Sequence, residues 1–141
     1  RDEFRGLIEE HVDILFANEE EILSLYETSH INAAIDYVRG HCEIAAITRG
    51  EKGSIVINVD EVSNIKAEPV VKLIDTTGAG DTFLGFLLAA IDNGVALESA
   101  LKLSAAAAAI QITRDGAVQA IPLLKEVEAF ASLSTYKVKR F

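Results

Sequence analysis

The chain has 141 residues, half of them hydrophobic, and a formal net charge of −9. That length suits one domain with a single core, and the acidic excess excludes a broad nucleic-acid surface, because phosphate contacts need clustered Lys and Arg. The apolar runs are too short to span a bilayer, and the single cysteine, Cys42, favours a reducing, cytoplasmic location.

The amino-terminal part of the chain alternates short apolar segments with helical patterns. The segments VDILFA (12–17) and CEIAAIT (42–48) have the composition of buried strands, and SIVINV (54–59) alternates as a half-exposed strand. Between the first two segments, NEEEILSLYE and INAAIDYVR repeat apolar residues at helical spacing. The turn residues RGEKGS separate the second strand from the third.

The rest of the chain is predicted to be mainly helical. The ragged segment EVSNIKAEPVVKLI is interpreted as two short strands around Pro69, the second of them VVKLI. Helices are predicted over 83–92, ended by Asn93 and Gly94, from about Leu97 through the alanine-rich SAAAAAIQI, and from Pro122 onward. Strands that alternate with helices predict one α/β region over 1–141, with a mostly parallel sheet flanked by helices. Ligands of such sheets bind beyond the carboxyl ends of the strands.

The stretch IDTTGAGDTF (74–83) places two glycines and two acids where VVKLI meets a helix. The first N–H groups of a helix lack intrahelical partners and glycines let a ligand approach them, so TGAGD predicts an anion pocket. Asp81 would repel a bound phosphate, but its carboxylate fits a site where it accepts a proton while charge develops in a transition state. The alternative is that Asp81 or Thr82 merely caps the helix. Phe83 and Leu84 exclude a dinucleotide fingerprint and a Walker loop, which require Gly or Lys there.

The motif D-T-T-G-A-G-D closely resembles the signature of the ribokinase-like (PfkB) carbohydrate kinases. Three further segments of this chain resemble family motifs, and all four occur along the chain in the family's order. NEEE (18–21) resembles its N-x-x-E motif, TRGEKG (48–53) its T-x-G-x-x-G turn, and ITRDGAVQAIP (112–122) its closing segment, most of all that of ribokinases. The four segments cover nearly the whole chain, and the resemblance implies a ribokinase-like α/β fold.

The resemblance also implies catalytic and nucleotide-binding roles. Asp81 would be the general base that activates a sugar hydroxyl, and the backbone of Gly78, Ala79 and Gly80 would hold the charge of the transferring phosphoryl group. Glu21 would reach a hydrated Mg²⁺. The residues implied at the ATP site are Asn18, Thr48, Gly50, Gly53 and Gly80. Two local alternatives stay open: Asn18 and Glu21 have the spacing of a capping box, and 48–53 fits a plain glycine-rich hairpin.

Many members of the family also bind a monovalent cation, K⁺, beside the anion hole. The resemblance implies as its ligands the Asp75 carboxylate, the Thr77 carbonyl and backbone oxygens within 111–116, at Gln111, Arg114 and Gly116. The chain departs from ribokinases at two positions. Ala105 stands where they commonly carry Asn or His near the adenine, and Ala120 replaces a hydroxyl residue often found before the final I-P.

The expected function is ATP-dependent phosphorylation of a sugar hydroxymethyl group, with a small sugar and ATP as partners and without nucleic acid or a membrane. The basic cluster at 137–140 is expected to be a solvated tail. Nothing in the chain resembles the family's sugar-binding Gly-Gly region or β-strand lid, so we expect the carboxyl-terminal half of a longer kinase or of a truncated gene. The resemblance is compatible with a homodimer of the full-length parent, but the sequence does not give the oligomeric state, which in this family often depends on the lid. The alternatives are a nucleotide-binding remnant without catalysis and a family kinase for adenosine, fructose or another small hydroxylated substrate.

Overall fold

The computed structural model describes residues 2–70 and 72–133, the last two of them by their backbone only. The basic cluster at 137–140, predicted to be a solvated tail, lies outside the described residues. Contacts between Cα atoms divide the chain into two compact units, Arg1–Lys66 and Ala67–Phe141. Within the described residues, no helix is both long enough and apolar enough to cross a membrane.

The first unit contains a sheet with helices before and between its strands. Asn18 precedes the second helix, and a single 3-10 turn covers Gly50–Lys52. The elements of this unit are, in chain order, α1 (Asp2–His11), β1 (Ile14–Asn18), α2 (Glu19–Leu25), α3 (Ile31–Val38), β2 (Ile44–Thr48), β3 (Ser54–Asn58) and β4 (Val62–Ile65).

The described strands form one mixed sheet in the order β1-β2-β3-β4. Strands β1 and β2 are parallel, with Asn18 opposite Thr48, whereas β2–β3 and β3–β4 are antiparallel. The prediction of a mostly parallel sheet is therefore wrong in extent. Two parallel strands need a long crossover connection, and only the connection between β1 and β2 contains α-helices that can provide it. The shorter connections reverse the direction of the chain and so give antiparallel pairs. The hairpin between β2 and β3 is as predicted, and its register pairs Thr48 with Ser54.

The core of the first unit lies on the face of the sheet that carries Ala45, Ile47, Ile55 and Ile57, and it includes a helix that the sequence did not reveal. Helix α1 has a charged sequence, DEFRGLIEEH, yet it buries Ile8 against the same cluster as Ile22, Val38 and Ile47. The guanidinium group of Arg5 holds α1 in place by donating to the Leu25 carbonyl at 2.8 and 2.6 Å. The charged surface of α1 hid the few apolar positions that make it amphipathic.

The described residues of the second unit form three α-helices: α4 (Ala79–Asp92), α5 (Leu97–Gln111) and α6 (Leu124–Leu133). A single 3-10 turn covers Val118–Ala120. Helix α5 packs against both α4 and α6, and alanines such as Ala106 and Ala107 are fully buried. The alanine-rich sequence therefore serves close helix packing, as predicted, because small side chains let helix backbones approach.

The predicted strand VVKLI (70–74) is not a strand in its described residues, 70 and 72–74, and Val71 lies outside them. The amides of Ile74 and Asp75 instead donate to the carbonyl of Ile112, at 2.8 and 3.3 Å. Leu73 and Ile74 are about half exposed, at 53% and 49%. This part of the prediction is wrong because the backbone partner of the segment is the loop after α5 and not a neighbouring strand.

Candidate active site

The segment before α4 is folded around the carboxylate of Asp75. Its Oδ1 accepts the Thr77 amide at 2.9 Å, and its Oδ2 accepts the Gly116 amide at 3.2 Å. Hydrogen bonds from the side chain of Thr77, then from the Thr77 and Gly116 amides, hold the pKa of Asp75 below its usual value. Asp75 therefore ties its own loop to the turn at Gly116 in its ionised form.

Gly78 occupies a position that only glycine fits. It is the residue before α4, with φ +75° and ψ 5°, in the left-handed region. A Cβ atom at this position would lie 2.9 Å from Nε2 of Gln111 and 3.6 Å from Cβ of Ala117. Both the backbone conformation and the packing at Gly78 therefore require glycine. Helix α4 begins directly after Gly78, four residues before the predicted start at Phe83.

The first turn of α4 presents open backbone donors. The Ala79 amide donates to the Thr76 carbonyl at 3.2 Å, and the Thr82 amide donates to the Gly78 carbonyl at 2.9 Å. Among the described residues from 67 onward, the amides of Gly80 and Asp81 donate to no acceptor. These two N–H groups lie at the positive end of the helix dipole and are available to an anion. Of the predicted anion hole 78–80, the Ala79 amide is engaged by the turn.

Asp81 is the third residue of α4, and its side chain is exposed. Its carboxylate makes no hydrogen bond and no ion pair within the described residues of the second unit. The capping alternative is wrong for both residues it named, because Gly78 precedes the helix and no side chain caps it. Thr82 instead is buried and donates its hydroxyl to Oε1 of Gln111. Asp81 is therefore left free to accept a proton from a ligand.

Gln111 connects the loop, α4 and the turn after α5 through its side chain, which sequence reasoning missed. Its Nε2 donates to the carbonyls of Thr77 at 2.8 Å and Ala117 at 3.4 Å, and Gln111 is only 1% exposed. Its own backbone carbonyl accepts the Arg114 amide at 2.9 Å. The sequence signal for this role is a long polar side chain at the end of the apolar run AAAAAIQ. A side-chain amide buried there requires hydrogen-bond partners for its oxygen and its nitrogen.

Arg114 holds the segment after α5 to α6 through its side chain. Its guanidinium group lies 2.7 Å from Oε1 of Glu126, whose Oε2 accepts the Leu123 amide at 2.7 Å. The Leu123 amide and then Arg114 lower the pKa of Glu126. The structure thus brings together Asp75, Thr77, Gln111 and Gly116, and it gives Arg114 a separate structural partner.

In the first unit, Asn18 and Glu21 form the capping box that the sequence left as an alternative. The Glu21 amide donates to Oδ1 of Asn18 at 2.8 Å, and the Asn18 amide donates to Oε2 of Glu21 at 2.8 Å. This capping role is confirmed. Both side chains are exposed, and within the described residues Oε1 of Glu21 accepts no hydrogen bond. Glu21 can therefore cap α2 and still offer one oxygen to a hydrated metal ion.

The turn from Thr48 to Gly53 lies at the end of the parallel strand pair. Thr48 is opposite Asn18 of β1, so the ends of β1 and β2 coincide. Gly50 and Gly53 have φ of +56° and +87°, and the Arg49 amide donates to the Gly53 carbonyl at 2.8 Å. The predicted nucleotide-binding residues of this unit, Asn18, Thr48, Gly50 and Gly53, therefore share the edge where α/β sheets bind ligands.

An ion-pair cluster fixes the base of the same turn. Glu19 lies 3.1 Å from Arg49 and 3.4 Å from Lys52, and the hydrogen bond from Arg49 is the main cause that lowers the pKa of Glu19. Among the described residues, no group of three or more His, Cys, Asp or Glu side chains is arranged to hold a metal ion. A magnesium ion here would keep much of its water and take oxygens from phosphates, as Mg²⁺ commonly does.

Residues 1–124 match the family model described as pfkB family carbohydrate kinase, so the chain belongs to the PfkB family of carbohydrate kinases. The ribokinase-like α/β fold predicted from the motifs is thereby confirmed.

Three similar proteins illustrate the family. A ribokinase of Haemophilus influenzae is 35% identical over 125 residues, 84% of this chain and 40% of its own length. The structure of a candidate ribokinase II of E. coli in complex with ATP and Mg²⁺ has a TM-score of 0.85 at 29% identity, over 94% of this chain and 43% of that one. An adenosine kinase of Sinorhizobium meliloti has a TM-score of 0.82 at 36% identity, over 93% of this chain and 39% of that one. The chain thus spans about two fifths of the length of these relatives.

Proposed function

We propose that this chain provides the nucleotide-binding side and the general base of an enzyme that phosphorylates a sugar hydroxymethyl group with ATP. The observation that carries the proposal is the first turn of α4. There the exposed Asp81 carboxylate has no partner among the described residues of its unit, beside the open amides of Gly80 and Asp81. A carboxylate without a partner can accept a proton from a hydroxyl that binds within hydrogen-bond reach of it.

The reaction that fits this arrangement is a direct phosphoryl transfer. Asp81 accepts the proton of the sugar hydroxyl as its oxygen forms a bond to the γ-phosphorus, and the bond between that phosphorus and the bridging oxygen of ADP breaks. The open amides, with the adjacent backbone of Gly78, stabilise the charge on the transferring group. Catalysis of this kind depends mainly on positioning and charge stabilisation, which explains the rigid support beneath the loop from Asp75, Thr82 and Gln111.

ATP and Mg²⁺ are the proposed cofactors. The relative from E. coli was solved with ATP and Mg²⁺, and this chain carries residues that fit both. Glu21 keeps an oxygen open while it caps α2, so it suits a metal ion that is held through water. Asn18, Thr48, Gly50 and Gly53 lie at the end of the parallel strands, where their backbone and short side chains suit a nucleotide. When bound, Mg²⁺ neutralises charge on the phosphates.

Two alternatives concern the acceptor and the transfer step. One relative is an adenosine kinase, so the hydroxyl belongs either to a free sugar or to a nucleoside. The chain covers only 40% of a ribokinase, which favours, as the second candidate, nucleotide binding without transfer by this chain alone. We propose the sugar as acceptor because the closing segment, ITRDGAVQAIP, is most similar to that of ribokinases.

The test is the substitution Asp81→Asn in a full-length family kinase that carries this chain. Loss of a general base should lower kcat at least about 100-fold, while the temperature of unfolding should change little because Asp81 is exposed. Asp92→Asn is the matched control, since Asp92 is an exposed acid in the last turn of the same helix. If Asp81→Asn retained kcat within a few-fold of the Asp92→Asn variant, Asp81 would not be the base.

A further inference from the structure

We infer that the side-chain amide of Gln111 takes the place of the monovalent cation that the family resemblance implies. The Thr77 and Gln111 carbonyl oxygens and the Asp75 carboxylate, three of the groups expected to hold K⁺, instead accept N–H groups of the chain itself. K⁺ should therefore not bind at this position, and the stability of the protein should not depend on K⁺. This inference concerns the residues around the loop 75–78 and does not depend on the proposed kinase activity.

The amide nitrogen contacts the oxygens that a cation would use. Nε2 of Gln111 lies 2.8 Å from the Thr77 carbonyl, one of the expected ligands, and 3.4 Å from the Ala117 carbonyl. Converging carbonyl oxygens carry partial negative charges that need a positive partner where water is partly excluded, as at this half-buried site. The two N–H bonds of a primary amide supply that partner without an ion.

Two more of the expected ligands, the Asp75 carboxylate and the Gln111 carbonyl, are also occupied. Both oxygens of Asp75 accept backbone amides, from Thr77 at 2.9 Å and from Gly116 at 3.2 Å. The Gln111 carbonyl accepts the Arg114 amide at 2.9 Å. The hydroxyl residue that often precedes the final I-P in the family is Ala120 here, which is fully buried and offers no side-chain oxygen. The residues present therefore do not fit a bound K⁺.

The orientation and position of the amide support this assignment. Its Oε1 accepts the hydroxyl of the buried Thr82, so the reversed orientation would point an oxygen at two carbonyls and leave three acceptors without a donor. Nε2 also packs against the backbone of Gly78, since a Cβ there would lie only 2.9 Å away. The space between the loop and the turn at Ala117 is thus filled by the side chain.

The experiment compares thermal unfolding of the full chain in potassium chloride and in tetramethylammonium chloride at equal ionic strength, without nucleotide. Wild type should unfold at the same Tm in both salts. Gln111→Ala removes the amide and opens the space to an ion, so its Tm should be lower in the bulky cation and should rise by about 3 °C or more in K⁺. Gln119→Ala is the matched control, because Gln119 is exposed and belongs to the neighbouring 3-10 turn.

Each outcome bears on the inference. A Tm of wild type that rises saturably with K⁺ would overturn it, and this measurement decides even if Gln111→Ala fails to fold. A folded Gln111→Ala variant without a response to K⁺ would also overturn it, because the amide would then replace no cation. A K⁺ response confined to Gln111→Ala, and absent from wild type and Gln119→Ala, would support it.

Discussion

Substitution of Gly78 by alanine tests how the loop before α4 is held. The residue has φ +75°, and a non-glycine residue in the left-handed region loses about 1–2 kcal/mol. In addition, the new Cβ would lie 2.9 Å from Nε2 of Gln111. The buried amide must then shift away from the Thr77 and Ala117 carbonyls, and unsatisfied buried polar groups cost about 1–3 kcal/mol. We expect the free energy of unfolding to fall by about 2–5 kcal/mol in total.

The assay is urea unfolding monitored by far-ultraviolet circular dichroism, with Gly94→Ala as the control. Gly94 has almost the same φ, +74°, but among the described residues, its chain neighbours aside, no atom lies within 4 Å of an added Cβ. Gly94→Ala should therefore show only the backbone cost of about 1–2 kcal/mol. The difference between the two variants measures the contact with Gln111. Equal losses of stability in the two variants would show that the Gln111 amide contributes nothing at Gly78, contrary to this prediction.

Two further predictions concern the other site residues. Asn18→Ala removes the side-chain oxygen that caps α2 and should lower the free energy of unfolding by about 0.5–2 kcal/mol. The control Asn32→Ala, at an exposed position inside α3, should have little effect. Equal urea midpoints for the two variants would contradict the capping role. The folded pKa of Asp75 is lowered, so its stabilising contribution is fully present above the unfolded value of about 3.9 and is lost as the pH falls through the folded pKa. The stability difference between wild type and Asp75→Asn, measured by urea unfolding across acidic pH, should therefore shrink as the pH falls, and a constant difference would contradict this account.

Much of the fold followed from hydrophobic periodicity. The pattern predicted α3, β2, β3 and the start of α5 near their observed bounds, because each buries one face against a local neighbour. It failed for VVKLI, whose apolar composition suits a strand although its backbone bonds to Ile112. It also overstated the parallel pairing, because strand direction depends on what each connection contains and not on the strand itself.

The candidate site divides in the same way. Asp81 and the glycines could be found from the motif, because a short loop must supply both the acid and the open amides. The role of Gln111 could not, since its partners at Thr77, Thr82 and Ala117 are brought to it only by the packing of α4 and α5. The hydrogen-bond partners of a buried polar side chain can lie far away in the sequence, and sequence spacing does not show which residues they are.

We propose that this chain carries the nucleotide-binding side of a PfkB kinase, and calorimetric titration with MgATP measures that binding. The 141-residue chain should bind MgATP saturably at one site, and Asp81→Asn should still bind, because the base acts on the acceptor hydroxyl. Circular dichroism on the same sample shows that the chain is folded. A folded chain that gives no binding heat at any temperature tested, and no shift of its Tm with MgATP, would contradict the claim.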